Sequence, residues 1–158
     1  VPKGSFYHYF RSKEDFGVEV IKRYWSNGRQ VLTDLLADEN KTPIERLEAF
    51  FRWGRDRQLE SGCRQGCLLA KLGTEISDFS DDLRQALEES TGQWLELLEK
   101  GILAAQKAGE IDSRLPAKRL AEFLWAAWEG ASTRSLIVQD PAPLDGFLDL
   151  AFGGLLAP

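Results

Sequence analysis

The chain has 158 residues, enough for one packed core, with 43% apolar and 28% charged residues, a balance that disfavours a disordered chain. No apolar run approaches the roughly 20 residues of a membrane-spanning helix, and no secretory signal opens the sequence. The two cysteines, Cys63 and Cys67, form no disulfide framework, so a reducing cytoplasmic setting is expected.

Apolar residues recur at helical spacing nearly throughout, and Gly/Pro punctuation falls between those stretches, so an all-α bundle is expected. A short helix over about 2–10 opens at Pro2, a residue suited to a first turn. Ser12 caps a second helix, with an acid three residues on, which runs through Phe16, Val20, Tyr24, Val31 and Leu35 to about residue 37. After a polar loop, Thr42-Pro43-Ile44-Glu45 combines a cap, a first-position proline and a third-position acid. That helix carries Leu47, Phe50, Phe51 and Gly54 and fades at Ser61-Gly62. A shorter helix is expected from about 66 to 76. Ser80-Asp81-Asp82 opens the longest one, which ends near Gly109. Pro116 begins another, apolar over most of its circumference through Leu120, Ala121, Phe123, Leu124, Trp125, Ala127, Trp128 and Ala131. It therefore needs partners on two sides. Pro141 and Pro143 break the chain before a last apolar helix over 144–156. The excess apolar surface of these two terminal helices points to a homodimer through about 116–139 and 144–156.

The formal net charge of −5 first argues against nucleic acid, but its distribution does not. Residues 1–25 hold five Lys/Arg against three Asp/Glu, and residues 26–158 hold fifteen against twenty-two. A basic end on an acidic body directs the first segment toward an anion. There Phe6 and Phe10, four apart, form one buried face. Lys3, Gly4, Ser5, Tyr7 and His8 stand at the helix start and on its other faces. Such a first turn suits a helix entering a major groove, where Lys and Ser reach base edges and aromatic hydroxyls reach phosphates. Gly4 permits close backbone approach. Lys13 sits at the next helix's N-terminus, whose backbone N–H groups also attract phosphate.

The run from Val1 to Phe16 resembles the recognition helix of the TetR family of transcriptional repressors and the start of the helix after it. The resemblance implies a TetR-like helical bundle, with residues 1–25 as the rest of a helix-turn-helix head and 26–158 as the effector-binding and dimerisation domain. It implies that Lys3, Gly4, Ser5 and Tyr7 read bases of double-stranded operator DNA, that Tyr9 and Lys13 grip phosphates, and that His8 adds a phosphate contact. The family carries roughly 40 residues ahead of this point, so the first part of the helix-turn-helix is expected to be missing from the chain as given.

Gly66 to Glu75, followed by Asp81-Asp82-Leu83-Arg84, and Trp128-Glu129-Gly130-Ala131 resemble the family's electrophile-sensing branch, which includes repressors responding to acrylate and controlling N-ethylmaleimide reductase. The chemistry is also legible from the residues. Cys67 is expected in a first helical turn, where the dipole favours thiolate, and Lys71 at i+4 would lower its pKa further. Cys63 is a candidate resolving thiol for a sulfenic acid. Free cysteine is equally a small hydrophobe, and Leu136 and Ile137 are apolar where part of that branch carries a lysine. A non-covalent pocket therefore competes, lined by Trp53, Trp94, Trp125 and Trp128, with Glu129, Arg52, Arg55 and Arg57 to orient a carboxylate or carbonyl.

The expected function is thus a DNA-binding repressor released by a small effector, a reactive electrophile or acrylate-like compound. The alternative is a helical ligand-binding or protein-interaction dimer without DNA binding. No enzyme, metal or cofactor is expected. His8 is the only histidine, it has no acid beside it, and neither Ser5 nor Cys67 gains a base from it.

Overall fold

The computed structural model describes residues 3–76 and 80–156. Regular structure among the described residues is entirely helical: α1 (Lys3–Tyr9), α2 (Lys13–Leu36), α3 (Pro43–Glu60), α4 (Leu68–Ile76), α5 (Asp81–Lys107), α6 (Ala117–Val138) and α7 (Ala142–Leu150), the last widening into a π-helical turn over Ala151–Leu155. None of the described helices is long and apolar enough to cross a membrane.

Helix starts fall where side chains satisfy the orphan N–H groups of a first turn. The Ser12 hydroxyl accepts the Asp15 N–H at 3.0 Å, while the Asp15 carboxylate reaches past the cap to the Arg11 N–H. At Thr42 the capping box is complete, with Glu45 accepting the Thr42 N–H at 2.8 Å and Pro43 in the first position. A further donor of that turn, the Ile44 N–H, finds Glu110 beyond the end of α5 at 2.9 Å. Ser80 caps α5 through the Leu83 N–H. The α2–α3 turn is closed by Arg46, which donates to the carbonyls of Leu36 and Lys41.

α5 is the central helix. It packs against α2, α3, α4 and α6, while α7 covers α6 and the far side of α3. The fully buried side chains come from most layers: Ile21 and Leu32 of α2, Leu47 and Phe51 of α3, Leu98 and Ile102 of α5, Leu124 of α6 and Leu144 of α7. Phe51 is the hub of the α3–α6–α7 junction, with ring centroids 5.4 Å from Trp128 and 5.1 Å from Phe147.

Two expected helix starts shift. α4 begins at Leu68, not near residue 66, because Gly66 lies against α6, where a Cβ would come within 2.8 Å of Leu136. The last helix starts at Ala142 with Pro143 inside its first turn, where proline sacrifices no hydrogen bond. The division expected at residue 25 falls inside α2, which continues unbroken from Lys13 to Leu36.

The two-sided apolar character of α6 is visible directly. Leu120, Leu124, Trp125 and Trp128 are buried, while Phe123 and Ile137 remain 57% and 67% exposed. Leu150 and Leu155, just beyond and within the last turns, are exposed as well.

Removing the Thr42 hydroxyl (Thr42→Ala) is expected to lower unfolding free energy by about 1 kcal/mol. Leu98→Ala, which opens a cavity at the centre of the bundle, is expected to cost about 2–5 kcal/mol. Urea unfolding of both variants checks the ranking.

Candidate functional site

A cavity of about 480 Å³ lies between α2, α3, α5 and α6 and is bordered by the segment that links α3 to α4. Its existence follows from two glycines in helix interiors, positions where glycine costs about 1 kcal/mol relative to alanine and so calls for a packing reason. A Cβ on Gly28 of α2 would stand 2.7 Å from the Trp94 ring, and one on Gly54 of α3 would stand 2.8 Å from the Trp128 ring. Each indole thus packs its benzo ring close against a helix backbone, with the cavity beside it between the helices.

The walls are aromatic. Trp94 of α5 and Trp125 of α6 stack with centroids 5.3 Å apart and 22° between planes. Phe50 packs on Trp94, and Trp53 stacks on Phe50. Trp128 reaches from the cavity into the Phe51–Phe147 core. Trp94 and Trp125 are buried, and their indole N–H groups have no hydrogen-bond partner. An unpaired buried donor of this kind costs roughly 1–3 kcal/mol.

Polar groups gather around the α3–α4 segment. Gln58, buried at the end of α3, donates to the Ser132 carbonyl at 3.0 Å and accepts the Ser132 hydroxyl at 2.7 Å, fixing α3 to α6 at the cavity wall. Arg57 lies at the wall with its guanidinium 5.4 Å from the Trp53 ring centroid. The Tyr24 hydroxyl of α2 accepts the Leu68 N–H at 3.4 Å and is hydrogen-bonded to the Cys67 thiol. Burial pushes the phenol up to about 12, so Tyr24 remains protonated at neutral pH.

Cys67 lines the cavity but is not the activated thiolate expected from helix position. It immediately precedes α4, and its carbonyl accepts the Lys71 N–H. The Ala70 and Leu69 N–H groups pull its pKa down, but burial outweighs them, and Glu129 pushes it up further. The net direction is upward, so the neutral-pH species is the thiol. Lys71 is exposed and contributes nothing to this balance.

Cys63 is buried outside the cavity wall, in a non-helical turn. Gly62 and Cys63 take consecutive left-handed conformations, with φ of 64° and 55°, and their N–H groups close back on the Leu59 and Gln58 carbonyls. The four tryptophans expected in a pocket do share one cavity, whereas Glu129 does not line it. The Glu129 carboxyl is raised by burial, and the nearby Trp125 indole opposes that rise without making a hydrogen bond of proper geometry. Arg52 is paired with Glu48, and Arg55 with Asp145 and Asp56, so neither is free for the cavity. Sequence reasoning missed Gly28, Gly54, Tyr24 and Gln58. The interior glycines were the available signal, whereas the 44-residue span from Tyr24 to Leu68 leaves no trace in periodicity.

At the other end, Phe6, Phe10 and Phe16 form a small aromatic cluster, with centroids 4.9 to 5.5 Å apart, that seats α1 on the start of α2. Opposite that seat, Tyr7, His8 and Tyr9 are exposed, Tyr9 by 75%. The side chains of Lys3, Gly4 and Ser5 lie outside what is described; their backbone belongs to α1. Lys13 is exposed at the first position of α2. The expected phosphate site on the backbone N–H groups there is already taken. Ser12 and Glu14 occupy that helix end, and the Glu14 carboxyl is lowered by its own backbone N–H and by the Ser12 hydroxyl. Lys13 is left as the anion-attracting group.

The family described as tetracyclin repressor-like, C-terminal domain, matches residues 43–151. The HTH-type transcriptional repressor DhaR of Mycobacterium sp. (strain GP1) is 37% identical over 156 residues, covering 99% of this chain and 77% of its own. The HTH-type transcriptional repressor NemR of Escherichia coli (strain K12) is 33% identical over 148 residues, covering 94% and 74%. The crystal structure of regulatory protein TetR from Rhodobacter sphaeroides superposes with a TM-score of 0.90 at 37% identity, covering 97% of this chain and 80% of that one.

With the Cys67 pKa raised, its alkylation by iodoacetamide is expected to be slow at neutral pH. The rate should keep rising as pH passes the ordinary thiol range. Rates measured by mass spectrometry between pH 7 and 10 check this; a plateau below that range would contradict it.

Proposed function

Because the chain belongs to the TetR family of transcriptional regulators, we propose that it holds operator DNA through α1 and the start of α2 and releases it when a small molecule fills the aromatic cavity. Regulators of this family bind operator DNA and small effectors and act as dimers; they are not enzymes. The finer assignments rest on the resemblance of residues 1–16 to the family's recognition helix and the start of the helix after it. Lys3, Gly4, Ser5 and Tyr7 are the base-reading positions, Tyr9 and Lys13 grip phosphates, and His8 adds a further phosphate contact. Such a repressor works in the cytoplasm, where its operator is.

The observation that carries the proposal is the continuity of α2. One unbroken helix runs from the phenylalanine cluster beneath α1 to Tyr24, Asn27 and Gly28 in the cavity wall. An occupant that competes for the Tyr24 hydroxyl, or displaces the Cys67 segment to which that hydroxyl is bonded, acts directly on the helix that seats α1. Release requires only that the occupant bind better when α2 has moved than when the two recognition helices stand one DNA turn apart, roughly 34 Å.

A covalent version of the same event is addition of Cys67 to a reactive electrophile or acrylate-like compound, favoured by the placement of its sulfur in the cavity wall. Cys63 and Lys71 have lesser parts, because one is buried outside the cavity and the other is exposed. Dimerisation is assigned to the helices over about 116–139 and 144–156. The exposed Phe123, Ile137, Leu150 and Leu155 form an apolar surface of the kind that marks an interface.

The purified protein is expected to shift DNA from upstream of its own gene in a sequence-selective, salt-sensitive manner. A helical dimer without DNA binding would give no such shift. Cys67→Ser should weaken release by unsaturated carbonyls while leaving operator affinity nearly unchanged. Tyr24→Phe should keep operator binding and blunt release by any cavity ligand several-fold. Wild-type release by Cys67→Ser would remove the covalent version only.

Light scattering checks the interface. Phe123→Glu combined with Leu150→Glu is expected to convert a dimer to a monomer that retains its helical circular dichroism.

A further inference from the structure

The cavity carries an asymmetry of charge that bears on what fills it. Among the described residues lining it, Arg57 is the only one with a formal charge. Among the described residues no acidic partner engages Arg57, whereas its neighbours Arg52 and Arg55 are each paired with carboxylates. The nearest candidate acids do not supply a counter-charge. Asp56 is committed to Arg55, Glu60 is exposed outside the wall, and Glu129 lies off the wall, where the group its charge reaches is Cys67. Arg57 is exposed at the rim with its guanidinium over Trp53, placed to meet an anion that enters the aromatic chamber.

One further polar group of the wall acts in the same sense. The Tyr24 hydroxyl accepts the Leu68 N–H and its O–H lies against Cys67, so it donates to an occupant by exchanging that contact. An occupant bringing an oxygen acceptor can make that exchange, and one bringing only donors cannot.

Shape narrows the class further. Phe50, Trp53, Trp94, Trp125 and Trp128 make the wall predominantly aromatic, which favours an aromatic ring. The volume of about 480 Å³ is in the range of sites for drug-sized ligands. An acid of two or three carbons would leave most of it empty unless it were held covalently at Cys67.

Resting on the cavity being the effector site, we propose that its occupant is a planar aromatic monocarboxylate, with the carboxylate at Arg57 and the Tyr24 hydroxyl and the ring among the tryptophans. Arg57 then selects for charge, and the indoles select for a flat apolar body.

Calorimetric titration of the dimeric protein with 2-naphthoate and with its neutral isostere 2-naphthamide tests this. The carboxylate is expected to bind about tenfold or more tightly than the amide. Arg57→Gln should remove most of that preference, and Arg57→Lys should restore part of it. Arg57 is exposed, so these variants should fold, as thermal unfolding will verify. Equal or tighter binding of the amide, or an undiminished preference in Arg57→Gln, overturns the charge assignment and leaves the cavity as a ligand site. Binding of neither probe overturns the aromatic-carboxylate assignment, and the cavity as effector site is then decided separately by the Tyr24→Phe release assay.

Discussion

The arrangement depends on two close contacts between a helix backbone and an indole, Gly28 against Trp94 and Gly54 against Trp128. In an ordinary four-layer helical core, side chains from all helices meet and fill the middle. Here two of the helices have no side chain at the point of closest approach, so the tryptophans lie against backbone. The space they would otherwise fill is left as a cavity with rigid aromatic sides. A methyl group at either glycine would force the indole inward, and the chamber would shrink before the fold failed. Binding space and helix packing are therefore set by the same contacts.

Those contacts also fix where force is transmitted. α5 and α6 hold the indoles and belong to the best-packed part of the molecule, with Leu98, Ile102 and Leu124 fully buried. α2 forms the opposite wall, and beyond the core it ends in the Phe6–Phe10–Phe16 cluster beneath α1. The Tyr24 hydroxyl links α2 to the Cys67–Leu68 segment by hydrogen bonds, which are easier to exchange than buried apolar contacts. An occupant that offers an acceptor near Tyr24 thus competes with the link between sensor segment and reading helix. In a twofold dimer, a small rotation of α2 about its packing on α5 changes the separation of both recognition helices together.

Helix boundaries were largely legible because their chemistry is local. Ser12, Thr42 and Ser80 are read as caps within four residues, and each caps the expected helix. The aromatic composition of the pocket was legible from the tryptophans on the middle helices, though spacing alone could not separate core from cavity. Trp128 is in fact both. The state of Cys67 was misread for a definable reason. Helix dipole and a basic residue at i+4 are visible in sequence, whereas burial, the dominant influence on its pKa, is a property of the assembled bundle. The same holds for Tyr24 and Gln58, whose partners lie 44 and 74 residues away. Periodicity assigns a residue to a face, and long-range packing assigns it a partner.

The central claim is that the cavity and the DNA-facing segment are thermodynamically linked, and linkage is reciprocal. The most direct measurement is the dissociation constant of whichever naphthyl probe the cavity accepts, determined with and without saturating operator DNA. If occupancy and DNA binding compete through α2, operator must weaken the probe by the same factor by which the probe weakens operator. An unchanged dissociation constant in the presence of operator would contradict the account, because a ligand bound equally in both states moves neither.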